Sequence, residues 1–235
     1  MEENLTDLIR LVRKNKADLG ISFDGDADRL GVVNDKGEII WGDKLLLLFA
    51  RHILKNHPRA AIIGEVKCSQ VLFDDIEKHS GKAIMWKAGH SLIKAKMKEV
   101  KAVLSGEMSG HFFFAERYFG YDDGIYAALR LLEILSRTGK KLSGLFADVP
   151  KTFATPEIRV DCTDSKKAKV VEGIKQHFKN TPGIVDIDGI RIPFENGWAL
   201  VRSSNTQPVI VLRFEAASVK TLNKIRGEVE ALLHV

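Results

Sequence analysis

Short β-branched segments alternate with longer segments of helical apolar spacing through the middle of this chain. Residues 60–66 and 83–87 are of the first kind, and residues 71–79 and 91–100 are of the second. Parallel strands must be joined by crossover connections, which are usually helices. The alternation therefore predicts a layered α/β domain with a mixed, largely parallel sheet.

The same reading extends this domain on both sides. Asp43 is expected to cap a helix over 43–53, and another helix is expected over 123–136. Short strands are expected at 103–105 and 112–114.

The segment before residue 42 predicts one helix and three short strands. Asn4 is a potential N-cap for a helix over 5–12. Strands are expected at 19–23, 30–33 and 38–41, and the turn residues between the last two indicate a hairpin.

The pattern changes after the segment that holds Pro150 and Pro156, which we interpret as a domain boundary. The later segments are expected as strands at 155–160, 184–186, 190–193, 198–202 and 209–215 and as helices at 165–178 and 219–233. Strands that mostly follow one another without crossover helices predict an α+β domain, with an antiparallel sheet covered by two helices.

Charge and cysteine content exclude several classes of protein. A net charge of +5 and a pI near 9.1 favour anionic ligands, but no nucleic-acid-binding signature is present. No apolar run approaches the roughly 20 residues of a membrane span. Cys68 and Cys162 indicate free thiols, and the acidic N-terminal segment lacks the order of a signal peptide, so we expect a cytoplasmic protein.

Three carboxylates, those of Asp24, Asp26 and Asp28, lie on alternate residues between two predicted strands. Alternate side chains of extended backbone point to one side, so the three can converge on a hard divalent cation. The neighbouring Arg29 supplies a fixed cation suited to a phosphate group.

The acidic run of residues 24–29 also has features of other structures. An acidic surface turn is the simplest, because Asp and Gly are common turn residues. An EF-hand loop is excluded, since Arg29 and Asp35 stand where it requires Gly and Glu and strands flank the run. A phosphatase of the haloacid-dehalogenase type, with Asp24 as nucleophile, is a weaker alternative because Asp28 stands where that pattern has Thr or Val.

A second polar loop runs from Gly106 to Gly110 and is followed by His111. Its two glycines allow the backbone to fold closely around a ligand. Glu107 and Ser109 can form hydrogen bonds with sugar hydroxyls, and His111 can transfer protons. An ordinary loop bracketed by glycines is the alternative.

Further polar groups lie at strand ends. Residues 202–208 read Arg-Ser-Ser-Asn-Thr-Gln-Pro between two apolar segments, which suits a phosphate cradle as well as an ordinary hairpin loop. Lys67, Lys87 and His90 directly follow two predicted strands. Each alone is typical of a solvated surface, but ligands of such domains bind at the carboxyl ends of strands.

These segments together resemble the motifs of a known family. Residues 24–29, 106–111 and 202–208 occur in the order and spacing of the α-D-phosphohexomutases, and 65–69 and 87–91 are also similar to that family. The resemblance runs through essentially the whole chain and is greatest to the bacterial phosphomannomutase/phosphoglucomutase branch.

The resemblance implies reversible transfer of a phosphoryl group between O1 and O6 of a hexose, through a bisphosphorylated sugar. It implies that Asp24, Asp26 and Asp28 hold Mg²⁺ and that Arg29 positions the transferring group. The other implied roles are sugar binding by Glu107 and Ser109, substrate binding by Lys87, binding of the non-reacting phosphate by Arg202, Ser204, Asn205 and Thr206, and polar support or proton transfer by Lys67, His90 and His111. The implied ligands are mannose and glucose 1- and 6-phosphates and the 1,6-bisphosphate.

The resemblance also divides the chain. Residues 1–38 correspond to the end of a second domain, 39–150 to a sugar-recognising α/β third domain, and 151–235 to a phosphate-binding α+β fourth domain. The family's phosphate donor is a phosphoserine in an early Thr-Ser-His-Asn-Pro-like loop, which this sequence lacks. We therefore expect a fragment without turnover of its own, whose partner is the missing N-terminal part. A non-catalytic phosphosugar-binding module and an aspartate-nucleophile phosphatase remain the alternatives.

Overall fold

The structure is a computed structural model that describes residues 2–204 and 207–233. The chain divides into two compact units, residues 1–149 and 150–235. Each unit has its own cluster of buried apolar side chains. Within the described ranges no helix is long and apolar enough to cross a membrane. Cys68 and Cys162 are both buried free thiols.

The first unit combines helices with two small sheets. Its helices are α1 (Thr6–Asn15), α2 (Gly42–Leu54), α3 (Gln70–Lys78), α4 (His90–Val100) and α5 (Gly124–Thr138). Its strands are β1 (Leu19–Phe23), β2 (Leu30–Asn34), β3 (Ile39–Ile40), β4 (Ala61–Glu65), β5 (Lys82–Trp86), β6 (Leu104–Gly106) and β7 (Phe112–Phe114). Short 3₁₀ segments span Glu2–Leu5 and Leu142–Phe146.

The pairing of these strands confirms the predicted α/β class. Strands β1, β2 and β3 form an antiparallel sheet. The second sheet has the order β5-β4-β6-β7, and β4 runs parallel to both of its neighbours while β7 is antiparallel to β6. The loops that follow β4, β5 and β6 therefore emerge at one edge of this sheet.

Helix α2 supplies much of the first core because its sequence is apolar on nearly every side. Its Phe49 ring meets Phe112 and Phe114 of β7 edge-on, at centroid distances of 5.2 and 5.1 Å. All three rings are almost completely buried. Such edge-to-face packing adds to the stability gained from burial.

The second unit has the predicted antiparallel sheet and two helices. Its strands are β8 (Phe153–Ala154), β9 (Ile158–Asp161), β10 (Ile190–Phe194), β11 (Gly197–Ser203) and β12 (Val209–Ala216), and its helices are α6 (Asp164–Phe178) and α7 (Val219–Glu230). The order is β10-β11-β12, and both β8 and β9 pair with β12. Alternate residues of β11 and β12, such as Val201 and Leu212, pack with Ile174 of α6 and Ile225 of α7.

Two predicted helix caps are wrong. Asn4 lies within a 3₁₀ segment, and the residue that precedes α1 is Leu5, whose side chain forms no cap. Asp43 lies inside the first turn of α2, which begins after Trp41. The Asp43 carboxylate instead accepts hydrogen bonds from the Lys44 and Ser69 backbone N–H groups, so it links α2 to the loop after β4.

Two predicted strands of the second unit are also changed. The strand expected at 155–160 is shifted to β9 at 158–161, with the short β8 at 153–154 before it, because Pro156 between them has no N–H to give to a ladder. The segment 184–186 contributes only an isolated bridge between Val185 and Arg191. The hairpin expected there is thus reduced to one residue pair.

A carboxylate fixes the β2–β3 turn to the segment that ends the first unit. The Asp35 oxygens accept hydrogen bonds from the Ser143 backbone N–H and hydroxyl, at 2.9 and 3.0 Å. Partial burial raises the pKa of Asp35, but the hydrogen bonds from Ser143 outweigh it, so this pKa lies below its ordinary value. The folded state therefore holds Asp35 ionised more readily than the unfolded chain does.

This shift predicts a pH-dependent cost for Asp35→Ala. Near pH 7 the variant should lose about 1–2 kcal/mol of unfolding free energy, as expected for hydrogen bonds to a charged group. Because the folded pKa is lowered, the contribution is complete above the unfolded value of about 4 and is lost as the pH falls through the folded value. Urea unfolding at pH 7 and pH 3 should show the difference shrinking.

The matched control is Ser143→Ala, which removes one of the two donors. Its loss should be smaller, and it should be non-additive with Asp35→Ala in a double-mutant cycle. An Asp35→Ala effect of the same size at both pH values would contradict the prediction.

Candidate functional site

The acidic loop connects two antiparallel strands, β1 and β2, and brings its three carboxylates together. Asp24, Asp26 and Asp28 each offer an oxygen, and these oxygens lie within 4.8 Å of one another. The Asp28 Oδ1 atom is buried and accepts no hydrogen bond within the described residues. A buried oxygen left without a donor is costly, so this donor set fits a hard divalent cation such as Mg²⁺.

Arg29 compensates part of this negative charge. Its Nε and its backbone N–H both donate to the Asp24 carboxylate, and Nε lies 3.8 Å from Asp28 Oδ1. Burial raises the pKa of Asp24, but Arg29 outweighs it and the net pKa is lowered. Burial also raises the pKa of Asp28, His111 partly offsets this rise, and the charges of Asp24 and Asp26 add to it, so its net pKa is raised.

The loop between β6 and β7 folds tightly on itself and onto the acidic loop. The Glu107 N–H donates to His111 O, and the Gly110 N–H donates to Glu107 O. Gly110 has a φ of +102°, and a Cβ there would lie 2.7 Å from Leu30 O. The Leu30 N–H donates to Gly110 O at 3.0 Å, which joins the two loops through their backbones.

His111 lies between two carboxylates at the junction of these loops. Its Nδ1 is 2.9 Å from Glu107 Oε2 and 3.1 Å from Ser109 Oγ, and its Nε2 is 3.3 Å from Asp28 Oδ2. Burial lowers the pKa of His111, but the contacts with Glu107, Asp28 and Asp122 outweigh it, so the net pKa is raised. The imidazole can therefore carry a proton on each nitrogen.

Both carboxylate oxygens of Glu107 have a partner within the site. Besides His111, it accepts a 2.8 Å hydrogen bond from the Gly89 N–H, which precedes α4. Burial raises the pKa of Glu107, but the hydrogen bonds from His111 and Gly89 lower it to a net value below the ordinary one. Three strand-end loops are thus joined: the acidic loop, the loop after β5 and the loop after β6.

The other basic residues predicted at strand ends differ in their surroundings. Lys67 Nζ lies 3.5 Å from Glu65 Oε1, which also accepts from the Met108 N–H, so Lys67 is beside the loop after β6. The His90 ring stacks 6.3 Å from that of His111. Lys87 is exposed, and within the described ranges no hydrogen bond or ion pair joins its side chain to His111.

Asp122 was not singled out from the sequence, yet it lies within this cluster. One of its oxygens is 3.0 Å from Lys94 Nζ, and the other is 4.0 Å from His90 Nδ1. Burial raises the pKa of Asp122, but Lys94 outweighs it and the net pKa is lowered. The signal was a pair of aspartates before α5, of which only Asp123 caps the helix, through the Tyr126 N–H.

The buried Glu65 at the end of β4 was also given no role of its own. A charged residue in an otherwise apolar strand was the sequence signal. Its contacts with Lys67 and the Met108 N–H show that it shapes the loop after β6.

The remaining predicted residues belong to the second unit. Arg202, in β11, has its side chain about nine-tenths buried and lies 3.1 Å from Asp188 Oδ2, and its Nε has no hydrogen-bond partner in the described part of the chain. The Ser204 hydroxyl accepts a hydrogen bond from the Gln207 N–H. Asn205 and Thr206 lie outside the described residues.

Comparison with family models places the whole sequence in one family. Residues 1–37 match domain II, an alpha/beta/alpha domain, of the phosphoglucomutase/phosphomannomutase model set. Residues 41–153 match its alpha/beta/alpha domain III, and residues 157–232 match its C-terminal domain.

Individual relatives agree with this result. A phosphomannomutase/phosphoglucomutase of Pseudomonas putida is 51% identical over 95% of this chain and 49% of its own length. A crystal structure of a phosphoglucomutase/phosphomannomutase family protein from Burkholderia thailandensis has a TM-score of 0.92 and 42% identity, over 99% of this chain and 50% of that one.

A more distant structure shares the fold alone. It is an Aspergillus fumigatus N-acetylphosphoglucosamine mutase in complex with GlcNAc-6P and magnesium, with a TM-score of 0.67 and 15% identity over 90% of this chain and 48% of that one. The present chain spans about half the length of the curated relatives that it matches. On its motifs, its fold and these similarities, the chain belongs to the phosphoglucomutase/phosphomannomutase family.

Proposed function

We propose that this chain carries the metal, sugar and distal-phosphate sites of a hexose phosphate mutase, which moves a phosphoryl group between O1 and O6 through a bisphosphorylated sugar. The observation that carries the proposal is the grouping of the Asp24, Asp26 and Asp28 oxygens beside Arg29 and His111. Phosphoryl transfer depends on positioning and charge neutralisation, and this cluster supplies both. The family membership and the names of the relatives support it.

Each residue of this cluster would have its own role in metal binding, phosphoryl binding or proton transfer. Asp24, Asp26 and Asp28 would hold Mg²⁺, which supplies charge neutralisation for phosphoryl oxygens. Arg29 would bind the transferring group through guanidinium nitrogens that Asp24 leaves open. His111, held at Nδ1 by Glu107, would exchange a proton with a sugar or phosphate oxygen at Nε2.

Other residues would bind the rest of the substrate. We propose that Ser109 and Glu107 bind sugar hydroxyls, that Lys67, Lys87 and His90 lie along the sugar, and that the 202–208 loop holds the phosphate that does not react. For Glu107 this requires exchanging a contact, because both oxygens already accept hydrogen bonds. The substrates would be glucose and mannose phosphates in a reducing cytoplasm.

The family's donor serine has no counterpart among these 235 residues. No Thr-Ser-His-Asn-Pro-like loop occurs in them. We propose that the 235-residue chain has no turnover alone and that its partner is a segment carrying a phosphorylated serine. A phosphosugar-binding module without catalysis is the alternative, supported by the position of the 202–208 loop in a unit with its own core.

Turnover is the first test. The purified chain, given glucose 1-phosphate and a trace of glucose 1,6-bisphosphate with Mg²⁺, should form no glucose 6-phosphate, because the family's donor-serine loop is not among these residues. Adding the N-terminal half of the Pseudomonas putida relative should give measurable product. Robust turnover by the chain alone would contradict this expectation.

The same preparation tests the phosphatase alternative. Release of phosphate from a generic phosphoester, abolished by Asp24→Asn, is what an aspartate nucleophile requires. We expect no release, because the Arg29 Nε donates to Asp24 Oδ2.

Metal binding is the second test. Mg²⁺ keeps several waters and gains affinity from substrate phosphate, so we expect only weak, roughly millimolar binding by the free chain. Calorimetry should show this binding lost in Asp26→Asn, which alters an exposed carboxylate, and retained in the control Asp18→Asn outside the loop. Micromolar affinity would contradict the expected weak binding, and equal binding by both variants would disprove the assignment of the ligands.

Phosphate binding by Arg202 is the third test. Replacing it with Ala removes a charge-assisted contact, so glucose 6-phosphate should bind about tenfold more weakly or worse. A phosphorus NMR titration would measure the change, with the exposed Arg226→Ala as the charge-matched control. Equal affinities for the Arg202 variant and the unaltered chain would remove the proposed role.

A further inference from the structure

The side chain of Lys167, in α6, contacts the backbone of the 202–208 loop. The Lys167 ammonium donates to Ser204 O at 2.7 Å and to Gln207 O at 3.3 Å. It also lies 2.6 Å from Asp164 Oδ1, one turn earlier on its own helix. The Lys167 side chain is largely buried, with 16% of its surface exposed.

These contacts use the whole hydrogen-bonding capacity of the group. An ammonium has three N–H donors and no acceptor, and three oxygens lie within reach of this one. No donor is left to point at a ligand. Lys167 is therefore placed to act on the loop, whereas Arg202 still has an Nε without a partner.

The two carbonyls that Lys167 binds belong to Ser204 and Gln207, which are three positions apart in the 202–208 loop. Ser204 and Gln207 are also linked by the Gln207 N–H, which donates to Ser204 Oγ at 3.1 Å. Two carbonyl oxygens directed at one point repel each other unless a cation lies between them. The ammonium removes that repulsion, and its long side chain ties the turn to a helix that packs on the sheet.

A second basic residue, Arg159, contacts the side chain of Gln207 in the same loop. Arg159 of β9 donates to Gln207 Oε1 at 2.7 Å. This contact is exposed and involves only the Gln207 side chain. Of these two basic side chains, Lys167 is the one that donates to backbone carbonyls of the loop.

We propose that Lys167 is a positioning residue for phosphate binding, which holds the Ser204 and Gln207 carbonyls of the 202–208 loop so that Arg202 and the Ser204 hydroxyl converge on one phosphate. It acts through the loop and does not touch the ligand. The inference rests on the proposed phosphate role of this loop and adds a residue from outside it.

The test compares variants of the full 235-residue chain, with glucose 6-phosphate as the probe. Lys167→Met should weaken binding by about tenfold, the effect of losing charge-assisted hydrogen bonds that hold a site. Lys167→Arg should recover most of the affinity, because a guanidinium also donates to carbonyl oxygens. Lys166→Met removes the same charge from an exposed neighbour on α6 and should change the affinity by less than about twofold.

A second measurement separates positioning from loss of fold. Amide exchange of Gln207 should accelerate in Lys167→Met, while the amides of β11 and β12 exchange as before. If that variant does not fold, Lys167→Gln, whose amide NH2 group has two N–H donors but no charge, takes its place with the same expectation.

The outcomes are distinct. No binding by the unaltered chain would overturn the proposed role of the loop and the inference with it. Binding by the unaltered chain and equal binding by Lys167→Met would overturn the inference alone. Equal weakening by Lys166→Met would show a general charge effect and would also overturn it, as would failure of Lys167→Arg to recover affinity.

Discussion

One backbone hydrogen bond joins the two sheets of the first unit at the candidate site. The Leu30 N–H, at the start of β2, donates to Gly110 O, and an antiparallel bridge pairs Arg29 with His111 beside it. Through this contact the carboxylates of one sheet reach the histidine of the other. Asp28 and His111 belong to different loops, and in this arrangement their side chains lie 3.3 Å apart.

Carboxylates and cationic groups alternate at this junction. Carboxylates and cations follow one another from Asp24 to Arg29, and from Asp28 to His111 and Glu107. Opposite shifts result: the pKa of Asp24 is lowered while that of Asp28 is raised. The two carboxylates differ because Arg29 donates to Asp24, whereas Asp28 has a buried oxygen without a donor. Groups so arranged are oriented before a ligand arrives, which is what phosphoryl transfer requires of a protein.

The sequence predicted those parts of the molecule in which local pattern and tertiary structure agree. The alternation of strands and helices indicated the mixed sheet, and the spacing of the three aspartates placed their oxygens together, because both follow from backbone periodicity. Both predicted caps, Asn4 and Asp43, are wrong, and the Asp43 carboxylate instead accepts from Ser69, which lies 26 residues away. No local rule connects such positions, so the Asp43 carboxylate was assigned to the wrong donor.

The same limit explains why the sequence alone did not single out Asp122 in the first unit or Lys167 in the second. Asp122 acquires its neighbours Lys94 and His90 only when α4 packs beside the segment before α5. Lys167 reaches the 202–208 loop only because α6 covers the sheet. The roles of Glu107 and Ser109 rested on the resemblance, and the structure adds that Glu107 is already shared between Gly89 and His111.

The close backbone contacts of three glycines have a consequence for the dynamics of the site. A Cβ would lie 2.7 Å from Leu30 O at Gly110, 2.8 Å from Ala27 O at Gly124 and 2.3 Å from Glu107 O at Gly42. The Gly124 N–H also donates to Ala27 O, so the acidic loop is fastened on two sides by main-chain bonds. Proteins open locally in contiguous cooperative units. We therefore expect the acidic loop, the loop after β6 and the first turn of α5 to open as one such unit, so that the three aspartates and His111 become exposed together.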